Sequence, residues 1–393
     1  MVLQYFRMSK PPAEAPEAKA SAAPVVAFHG AGRVAWSARD AGTMTRVGFL
    51  NNPVGFRCVK VIAEAAAAVP LVVQDADRRF EAHPVISLLA APNPGQGGSA
   101  LMESFYGHML LSGDGYFEAA GEVMSGGPRE LYVLRSDRMK VVPGNDGWPI
   151  AYEYSVGAKK HAFDMRQERP PILHVKSFHP QDDHYGLSPL AAAASALDVH
   201  NSASTWSKSL LDNAARPSGA IIYKGADGQG SLAHDQYERL VDELESHHQG
   251  ARNAGRPMLL EGGLDWKPMG FSPSDMEFHK TKEAAARDVA LAFGVPPMLL
   301  GLPGDNTYAN YQEAHRAFYR LTVLPLVAKT LAALSGWLPQ FYGETFQIKV
   351  DDDNVPALAA EREALWSRIA SAPFLSDAEK RRLLGLPAAR EDG

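Results

Sequence analysis

Residues 272–319 read SPSDMEFHKTKEAAARDVALAFGVPPMLLGLPGDNTYANYQEAHRAFY, and they carry the start and stop signals of two helices joined by an ordered turn. Ser272 and Asp275 form the Ser-x-x-Asp pattern of a capping box, and Pro273 suits the first position of a helix. Gly294 can end that helix in a left-handed conformation, and the two prolines that follow prevent the helix from resuming. The first helix is therefore predicted over 272–294.

The second half of this stretch predicts a polar loop, GDNTYAN, followed by a long helix from about Thr307 to Trp337. Pro325 lies inside this second helix, and we expect a kink there because proline removes a helical hydrogen bond. In the first helix Glu283 precedes Arg287 by four residues, the order that favours an ion pair. The chain is thus organised around two helices that meet at a proline-rich turn.

Length, composition and charge limit the possible classes of protein. With 393 residues the chain is long enough for two or three domains, and its 46% hydrophobic content can supply a buried core. The formal net charge is −6 and the pI is near 6.1, which argues against a free-standing basic DNA-binding domain. The charge does not argue against a channel through which DNA slides. A strongly basic wall would neutralise many phosphates and hold the DNA too tightly, because every neutralised phosphate adds affinity. Ordinary solubility is the simpler explanation of the charge.

The single cysteine and the apolar segments bear on the compartment. Cys58 has no partner in the chain for a disulfide or a cysteine-rich metal site, which fits assembly in a reducing cytoplasm. Residues 1–23 lack the continuous apolar core of a signal peptide. The longest apolar runs, 61–73 and 321–338, are interrupted by charged residues and proline before they reach the ~20 residues of a membrane span. No membrane partner is predicted.

The rest of the chain contains both helices and strands, which predicts an α+β fold. Residues 9–24 are rich in Pro, Ala, Glu and Lys, the composition of a disordered arm; the alternative is an arm that orders against a neighbouring subunit. A capping box at Ser376 and Glu379 begins a last short helix. Periodicity and turn residues predict helices at 52–68, 83–91, 99–112, 189–213, 233–247 and 357–370, and strands at 71–74, 116–120, 130–134, 139–143, 150–156, 172–175, 220–223, 257–261, 265–268 and 346–350.

Two polar clusters offer possible cation ligands. His179-Pro-Gln-Asp-Asp-His184 contains two imidazoles and two carboxylates, but its spacing matches no metal pattern, and a solvated loop is the favoured interpretation. Asp351-Asp-Asp-Asn lacks the spacing of a calcium loop, and a solvated turn is again favoured. We therefore predict no metal site.

Catalytic motifs are missing from the sequence. There is no Gly-x-x-x-x-Gly-Lys phosphate loop, no Gly-x-Ser-x-Gly elbow and no His-Glu-x-x-His pair. We predict no catalytic residues, no cofactor and a non-enzymatic role.

A series of short motifs, spread over roughly residues 45–340, resembles the portal proteins (head–tail connectors) of long-tailed, lambdoid-type bacteriophages or a related gene transfer agent. No single motif is diagnostic, but their order along the chain is. The motifs are Asn52-Pro-Val, Arg57-Cys-Val, Ala91-Pro-Asn-Pro-Gly-Gln, Gly113-Asp-Gly-Tyr, Ile172-Leu-His-Val, Gly186-Leu-Ser-Pro-Leu, Arg216-Pro-Ser-Gly, Leu260-Glu-Gly-Gly-Leu-Asp-Trp, Phe293-Gly-Val-Pro-Pro and Asn306-Thr-Tyr-Ala-Asn.

The resemblance implies the portal fold, assembled as a ring, with a mixed α/β wing, stem helices, a clip and a helical crown. It divides the chain into a partly disordered N-terminal arm (1–44), the wing (45–188), the outer stem helix (189–215), the clip (216–271), the inner stem helix (272–294), the tunnel-loop region (295–310), a long helix and wing return (311–355), and the crown (356–393).

The resemblance also implies where DNA would pass. The tunnel loop would comprise Asp305, Asn306, Thr307 and Tyr308, although Asn306 or Thr307 can also cap the following helix.

On the inner stem helix, Lys280 and Arg287 lie two turns apart on one face, and Lys282 lies near that face. These cations would meet phosphate in the channel; the alternative is ion pairing between subunits with Glu277, Glu283 or Asp288. In the clip, Arg252, Asn253 and Arg256 would dock the motor.

The implied function is structural. Twelve copies would form a ring at one capsid vertex, admit DNA during packaging and release it during ejection. The implied partners are double-stranded DNA without sequence specificity, the terminase large subunit, the head–tail adaptor and the major capsid protein, in a particle assembled in the bacterial cytoplasm. Two alternatives are another ring-forming head–tail protein and a metal-dependent hydrolase centred on His179 and His184.

Overall fold

The computed structural model describes residues 36–75, 78–121, 127–212, 220–223, 234–247, 264–267, 274–303 and 308–386. The helices are α1 (Ala41–Thr45), α2 (Pro53–Ala67), α3 (Pro84–Ala90), α4 (Gly98–Ser112), α5 (Pro189–Ala192), α6 (Ala194–Asp212), α7 (His234–His247), α8 (Ser274–Phe293), α9 (Tyr308–Phe318), α10 (Leu324–Trp337), α11 (Pro339–Tyr342), α12 (Ala359–Ala370) and α13 (Asp377–Leu383). The strands are β1 (Leu71–Gln74), β2 (Asp114–Ala120), β3 (Glu130–Leu134), β4 (Met139–Pro143), β5 (Pro149–Val156), β6 (Lys159–Asp164), β7 (Ile172–Lys176), β8 (Ala220–Tyr223), β9 (Leu264–Lys267) and β10 (Gln347–Val350).

Helix α2 begins where the sequence predicts, and its cap also connects it to a distant helix. The Asn52 side chain accepts hydrogen bonds from the backbone N–H groups of Val54 and Gly55, both at 3.0 Å. Its amide nitrogen donates to Asn201 Oδ1 at 2.8 Å and to His200 Nδ1 at 3.1 Å on α6. Asn52 is 1% exposed, so these bonds form away from water. One side chain therefore both starts α2 and fixes α6 against it.

The strands in the described residues form four antiparallel sheets. Their orders are β3–β2–β7, β4–β5–β6, β1–β10 and β8–β9. Strand β6 was not predicted, because Lys159, Lys160 and His161 give it no apolar alternation and only Phe163 is buried. An edge strand that faces water carries little hydrophobic signal.

Two cores hold the helices and sheets together. In the larger core, Phe105 of α4 stacks on Phe117 of β2 with ring centroids 4.1 Å apart, and buried residues of α2 and α10 surround them. The smaller core contains Tyr116, Tyr152 and Phe163 and lies between the β3–β2–β7 and β4–β5–β6 sheets. The fully buried Tyr116 thus extends the apolar packing from one sheet to the other.

The helix predicted over 189–213 is interrupted at Ala193. The hydroxyl of Ser188 caps α5 by accepting from Leu190 N–H, and it donates to the Leu110 carbonyl on α4, both at 3.0 Å. Leu190 is fully buried. The first turn is therefore anchored to α4, and the helix resumes as α6 alongside α8.

A π-turn, Tyr319–Val323, joins α9 to α10 where a kink at Pro325 was predicted. Pro325 lies in the first turn of α10, and the wider turn before it accommodates the proline ring and the missing N–H. The resulting helical run, 309–342, is the one described helix that is long and apolar enough to cross a membrane by those two criteria alone. Its Val327, Leu331 and Leu334 lie in the larger core.

The acidic turn after β10 is largely solvated, as predicted, because Asp352, Asp353 and Asn354 are exposed; it also contains ion pairs that the sequence did not indicate. Asp351 is buried and pairs with Arg79 at 2.5 Å. Asp353 accepts from Arg362 at 2.6 Å and from the Trp366 indole at 2.9 Å, both on α12. The Arg362 contact lowers the pKa of the Asp353 carboxyl. These pairs attach the C-terminal helices to the β1–β10 sheet.

We expect Asn52→Ala to destabilise the fold by roughly 2–3 kcal/mol, because it removes a helix cap and leaves buried polar partners unsatisfied. Urea unfolding of the purified chain measures this loss. Ser376→Ala is the matched control, since Ser376 caps α13 in an exposed capping box and contacts that helix alone. Equal losses in the two variants would contradict the proposed link between α2 and α6.

Candidate functional site

The predicted tunnel loop lies mostly outside the described residues. Asp305, Asn306 and Thr307 are not described, and Tyr308 is described only as the first residue of α9. The helix start near Thr307 is therefore confirmed to within one residue. The capping role and the DNA contacts predicted for the loop remain predictions.

The segment that leads into this loop is well described. Helix α8 begins at Ser274, so the predicted capping residues Ser272 and Pro273 lie outside the described chain. At its other end Gly294 has φ +65°, which confirms the predicted left-handed ending. The backbone N–H of Val295 still reaches Ala290 O at 2.9 Å. A short 3₁₀ turn, Pro297–Leu300, then leads to Pro303.

The C-terminal end of α8 is fastened to the π-turn. The Thr322 hydroxyl donates to the Gly294 carbonyl at 2.6 Å. A Cβ atom added at Gly294 would lie 2.8 Å from the same hydroxyl oxygen. Glycine is thus required here both for its positive φ and for the close approach of Thr322.

Arg287 has two partners within the chain. Its guanidinium pairs with Glu283 at 3.0 Å, which confirms the predicted ion pair one turn apart. The same nitrogen, Nη2, also donates to the backbone carbonyl of Pro303. Both charged side chains of the pair are partly shielded from water. The Arg287 guanidinium, which was predicted to face the channel, therefore binds two groups of its own chain, one of them the carbonyl of Pro303 just before the loop.

The other two predicted channel cations have different environments. Lys280 is exposed, whereas Lys282 is half-buried and faces α6 near His200. Burial, and then the positive charge of Lys282, lower the pKa of His200. Ala284 and Leu291 continue the exposed side of α8 that includes Lys280. The three cations thus do not form a uniform basic stripe in a single chain.

Helices α6 and α8 pack side by side in opposite directions. Trp206 of α6 stacks on Phe278 of α8 with centroids 4.4 Å apart and rings 14° from parallel. His200 precedes Trp206 by six residues on α6, and it lies near Lys282, which follows Phe278 by four residues on α8. The two helices therefore run antiparallel. Ala285, Ala286 and other residues of α8 are buried, which lets the two helices approach closely.

The predicted motor-docking residues Arg252, Asn253 and Arg256 lie outside the described residues, as does the strand predicted at 257–261. In this region the structure confirms the predicted helix as α7 and two of the predicted strands as β8 and β9, and it shows that these strands pair with each other.

Two side chains of the 179–184 segment, those of His179 and Asp182, accept hydrogen bonds within the turn. Asp182 accepts from the N–H groups of His184 and Tyr185 at 2.7 and 3.0 Å, and these bonds lower the pKa of its carboxyl. His179 Nδ1 accepts from Gln181 N–H at 3.1 Å. Among the described residues no three His, Cys, Asp or Glu side chains are grouped to hold a metal.

A buried carboxylate that sequence reasoning missed connects three of the family-like motifs. Asp114 Oδ1 accepts from His174 Nε2 and from Gly186 N–H, both at 2.8 Å. The side chains of Asp114 and His174 are only 6% and 7% exposed. Tyr116 stacks on His174 at 4.2 Å, and Tyr152 OH lies 3.2 Å from His174 Nδ1.

This cluster is suited to structural support. Burial raises the pKa of both tyrosine hydroxyls, that of Tyr152 to about 12, so both stay neutral at physiological pH. A Cβ atom at Gly186 would lie 2.1 Å from the Gly113 carbonyl oxygen, so the two loops pack backbone to backbone. The motifs around Gly113, His174 and Gly186 therefore meet at one point, just before α5.

Comparisons with known proteins agree with this architecture. The family model for phage portal proteins matches residues 53–385. An uncharacterized protein of Rickettsia bellii is 40% identical over 347 residues, 87% of this chain and 89% of its own length. A chain from the neck of an empty gene transfer agent particle, computed with C6 symmetry, is 68% identical with a TM-score of 0.73, covering 92% of this chain and 98% of that one. A chain from the neck of the native particle, computed with C12 symmetry, is 66% identical with a TM-score of 0.71 over 92% and 97%.

These matches define the class of the protein: it is a structural protein with the portal fold. They confirm the resemblance to portal proteins that the order of the sequence motifs indicated. The chain belongs to the phage portal protein family.

We expect Asp114→Ala to destabilise the fold by about 3 kcal/mol, because His174 and the Gly186 N–H lose a shared charged acceptor in a buried site. Chemical unfolding, with local amide exchange around 186–190, measures the effect. Asp137→Ala is the control, since Asp137 forms an exposed pair with Arg135 and should cost under about 1 kcal/mol. Wild-type stability of Asp114→Ala would contradict the structural role of the cluster.

Proposed function

We propose that this chain forms the portal ring of a gene transfer agent or a closely related tailed-phage particle. The observation that carries the proposal is the 66% identity, over 92% of the chain, to a chain of a particle neck computed with C12 symmetry. The proposed assembly is a ring of twelve at one vertex of the capsid.

The surface of the single chain supports a ring assembly. Leu291 on α8 is 78% exposed, Leu321 on the π-turn is 77% exposed and Phe178 after β7 is 83% exposed. Large apolar side chains on ordered elements lose contact with water when copies associate. A cyclic ring uses two different patches of each subunit, so several separate apolar sites are expected.

DNA would pass along the ring axis. In this proposal 45–188 form the wing, 189–215 and 272–294 the stem, 216–271 the clip and 356–393 the crown. Residues 305–308 would follow the DNA surface at the narrowest point. Exposed Lys280 can meet phosphate, and the net charge of −6 is compatible with a channel through which DNA slides.

The energy for packaging would come from a separate motor ATPase, so the chain itself would perform no catalysis. Arg252, Asn253 and Arg256 would dock the terminase large subunit and later the head–tail adaptor, while the major capsid protein would surround the wing. The support for this is the family membership together with the lack of a phosphate-binding loop in the sequence.

The purified full-length chain is expected to form rings with a central hole wide enough for duplex DNA. Negative-stain imaging and mass by light scattering test this directly. A monodisperse monomer or dimer under all assembly conditions would contradict the proposed function.

Replacing residues 305–308 by Gly and Ser should leave ring assembly intact and lower the DNA content of particles. The reason is that the altered segment would no longer follow the DNA surface, while in this proposal other parts of the chain form the ring. DNA per particle is measured by quantitative PCR after nuclease treatment. The control is the same replacement of Asn145 and Asp146 in the exposed β4–β5 turn. Normal DNA content in particles with the altered loop would contradict the proposed role of residues 305–308 in packaging.

A further inference from the structure

We propose that Arg287 is a positioning residue: it clamps the segment 294–303 onto α8 and fixes the point at which residues 304–307 begin. This inference rests on the proposed function of 305–308 as the DNA-contacting loop. It assigns to Arg287 a different role from the phosphate contact expected from its place on α8.

The first step is the geometry of the guanidinium. Nη2 of Arg287 directs one hydrogen to Glu283 Oε1 at 3.0 Å and the other to the Pro303 carbonyl. Glu283 lies one turn earlier on the same helix, so it holds the guanidinium plane in one orientation. A planar donor group that is already oriented loses little freedom when it binds the second acceptor.

The second step is that the segment is held at its other end as well. Thr322 donates to the Gly294 carbonyl at 2.6 Å, and Val295 N–H reaches back to Ala290 at 2.9 Å. Between the two ends, Leu299 and Leu300 pack against the larger core. Within the segment, Leu302 N–H donates to the Pro297 carbonyl at 3.2 Å.

The segment therefore behaves as a short rigid connection rather than a slack linker. Its start is fixed by Thr322, its middle by the core and its end by Arg287. A force applied to the residues after Pro303 would pass through the Arg287 contact into α8. Without that contact, the end of the segment would be held, among the contacts of the described residues, by those of Leu302 and the turn before it.

The third step is the electrostatic state of Arg287. Its charge is already compensated by Glu283, and its side chain is 40% exposed. A paired guanidinium attracts a passing phosphate less than a free one does, because the carboxylate repels the same phosphate. The two roles thus differ for the removal of Glu283, because only the clamp requires Glu283 to keep residues 295–302 protected from exchange.

The test uses the full-length chain assembled into rings, with amide exchange of residues 295–302 as the local readout and DNA per particle as the functional one. Arg287→Met and Arg287→Lys should both accelerate exchange by about tenfold or more, since a hydrogen bond to a charged group is lost in each. Lysine keeps the charge but lacks the planar fork. Glu283→Gln should accelerate exchange as well, and all three variants should package less DNA.

The matched control is Arg316→Met, which removes another helical arginine, paired with Glu313 on α9 at 2.8 Å. It should leave exchange in 295–302 unchanged. Wild-type exchange in Arg287→Met would overturn the clamp. Full rescue by Arg287→Lys would overturn it in favour of a phosphate contact, and wild-type exchange in Glu283→Gln would also overturn it.

The two readouts separate this inference from the function on which it rests. Faster exchange combined with normal DNA content would support the clamp and count against the role of 305–308 in packaging. Faster exchange combined with reduced DNA content would support both.

Discussion

The structure depends on one buried carboxylate, that of Asp114. It accepts from a histidine on β7 and from the backbone at Gly186, and it lies at the start of β2, so three separate parts of the chain meet at a single oxygen atom. A charge that is removed from water must be compensated by its neighbours, and this requirement specifies the arrangement more tightly than apolar packing alone. The backbones at Gly113 and Gly186 pack so closely that a side chain at either position would clash. The β3–β2–β7 sheet and the segment that leads into α5 are therefore fixed relative to each other.

The same principle recurs where other elements leave the body. Asn52 fixes α6 to the start of α2, and Asp351 and Asp353 attach the C-terminal helices to the β1–β10 sheet. Thr322 and Arg287 hold the turn that follows α8. Each joint consists of a few polar contacts with defined geometry, placed beside a larger apolar core. In a protein whose copies must repeat accurately around an axis, such joints limit the angular freedom of the parts that project from the body.

The local parts of the fold were predictable from sequence, and the long-range parts were not. The start of α2 at Asn52, the cap at Ser376, the left-handed Gly294 and the Glu283–Arg287 pair all depend on residues within a few positions of each other. Strand β6 was missed because its lysines face water, and the contact of Ser188 with Leu110 on α4, which anchors the turn before the break at Ala193, joins residues far apart in sequence. The partners of Asp114 are 60 and 72 residues away, and a single sequence carries no signal for such distances. The channel loop and the docking residues were assigned by resemblance alone and stay predictions.

The π-turn between α9 and α10 has a geometric consequence for how this long helix can vary. A π-turn contains about one residue more than an α-helical turn, and each residue in an α-helix advances the azimuth by about 100°. The angle about the helix axis between the polar side of α9 and the core-facing side of α10 therefore differs from the angle that a single uninterrupted helix would give. Deleting one residue at 319–323 would restore a regular helix and rotate one half against the other by that angle. The π-turn thus changes the rotational register of the helix. It lets one continuous helical run direct different faces toward the core and toward the region around residue 308.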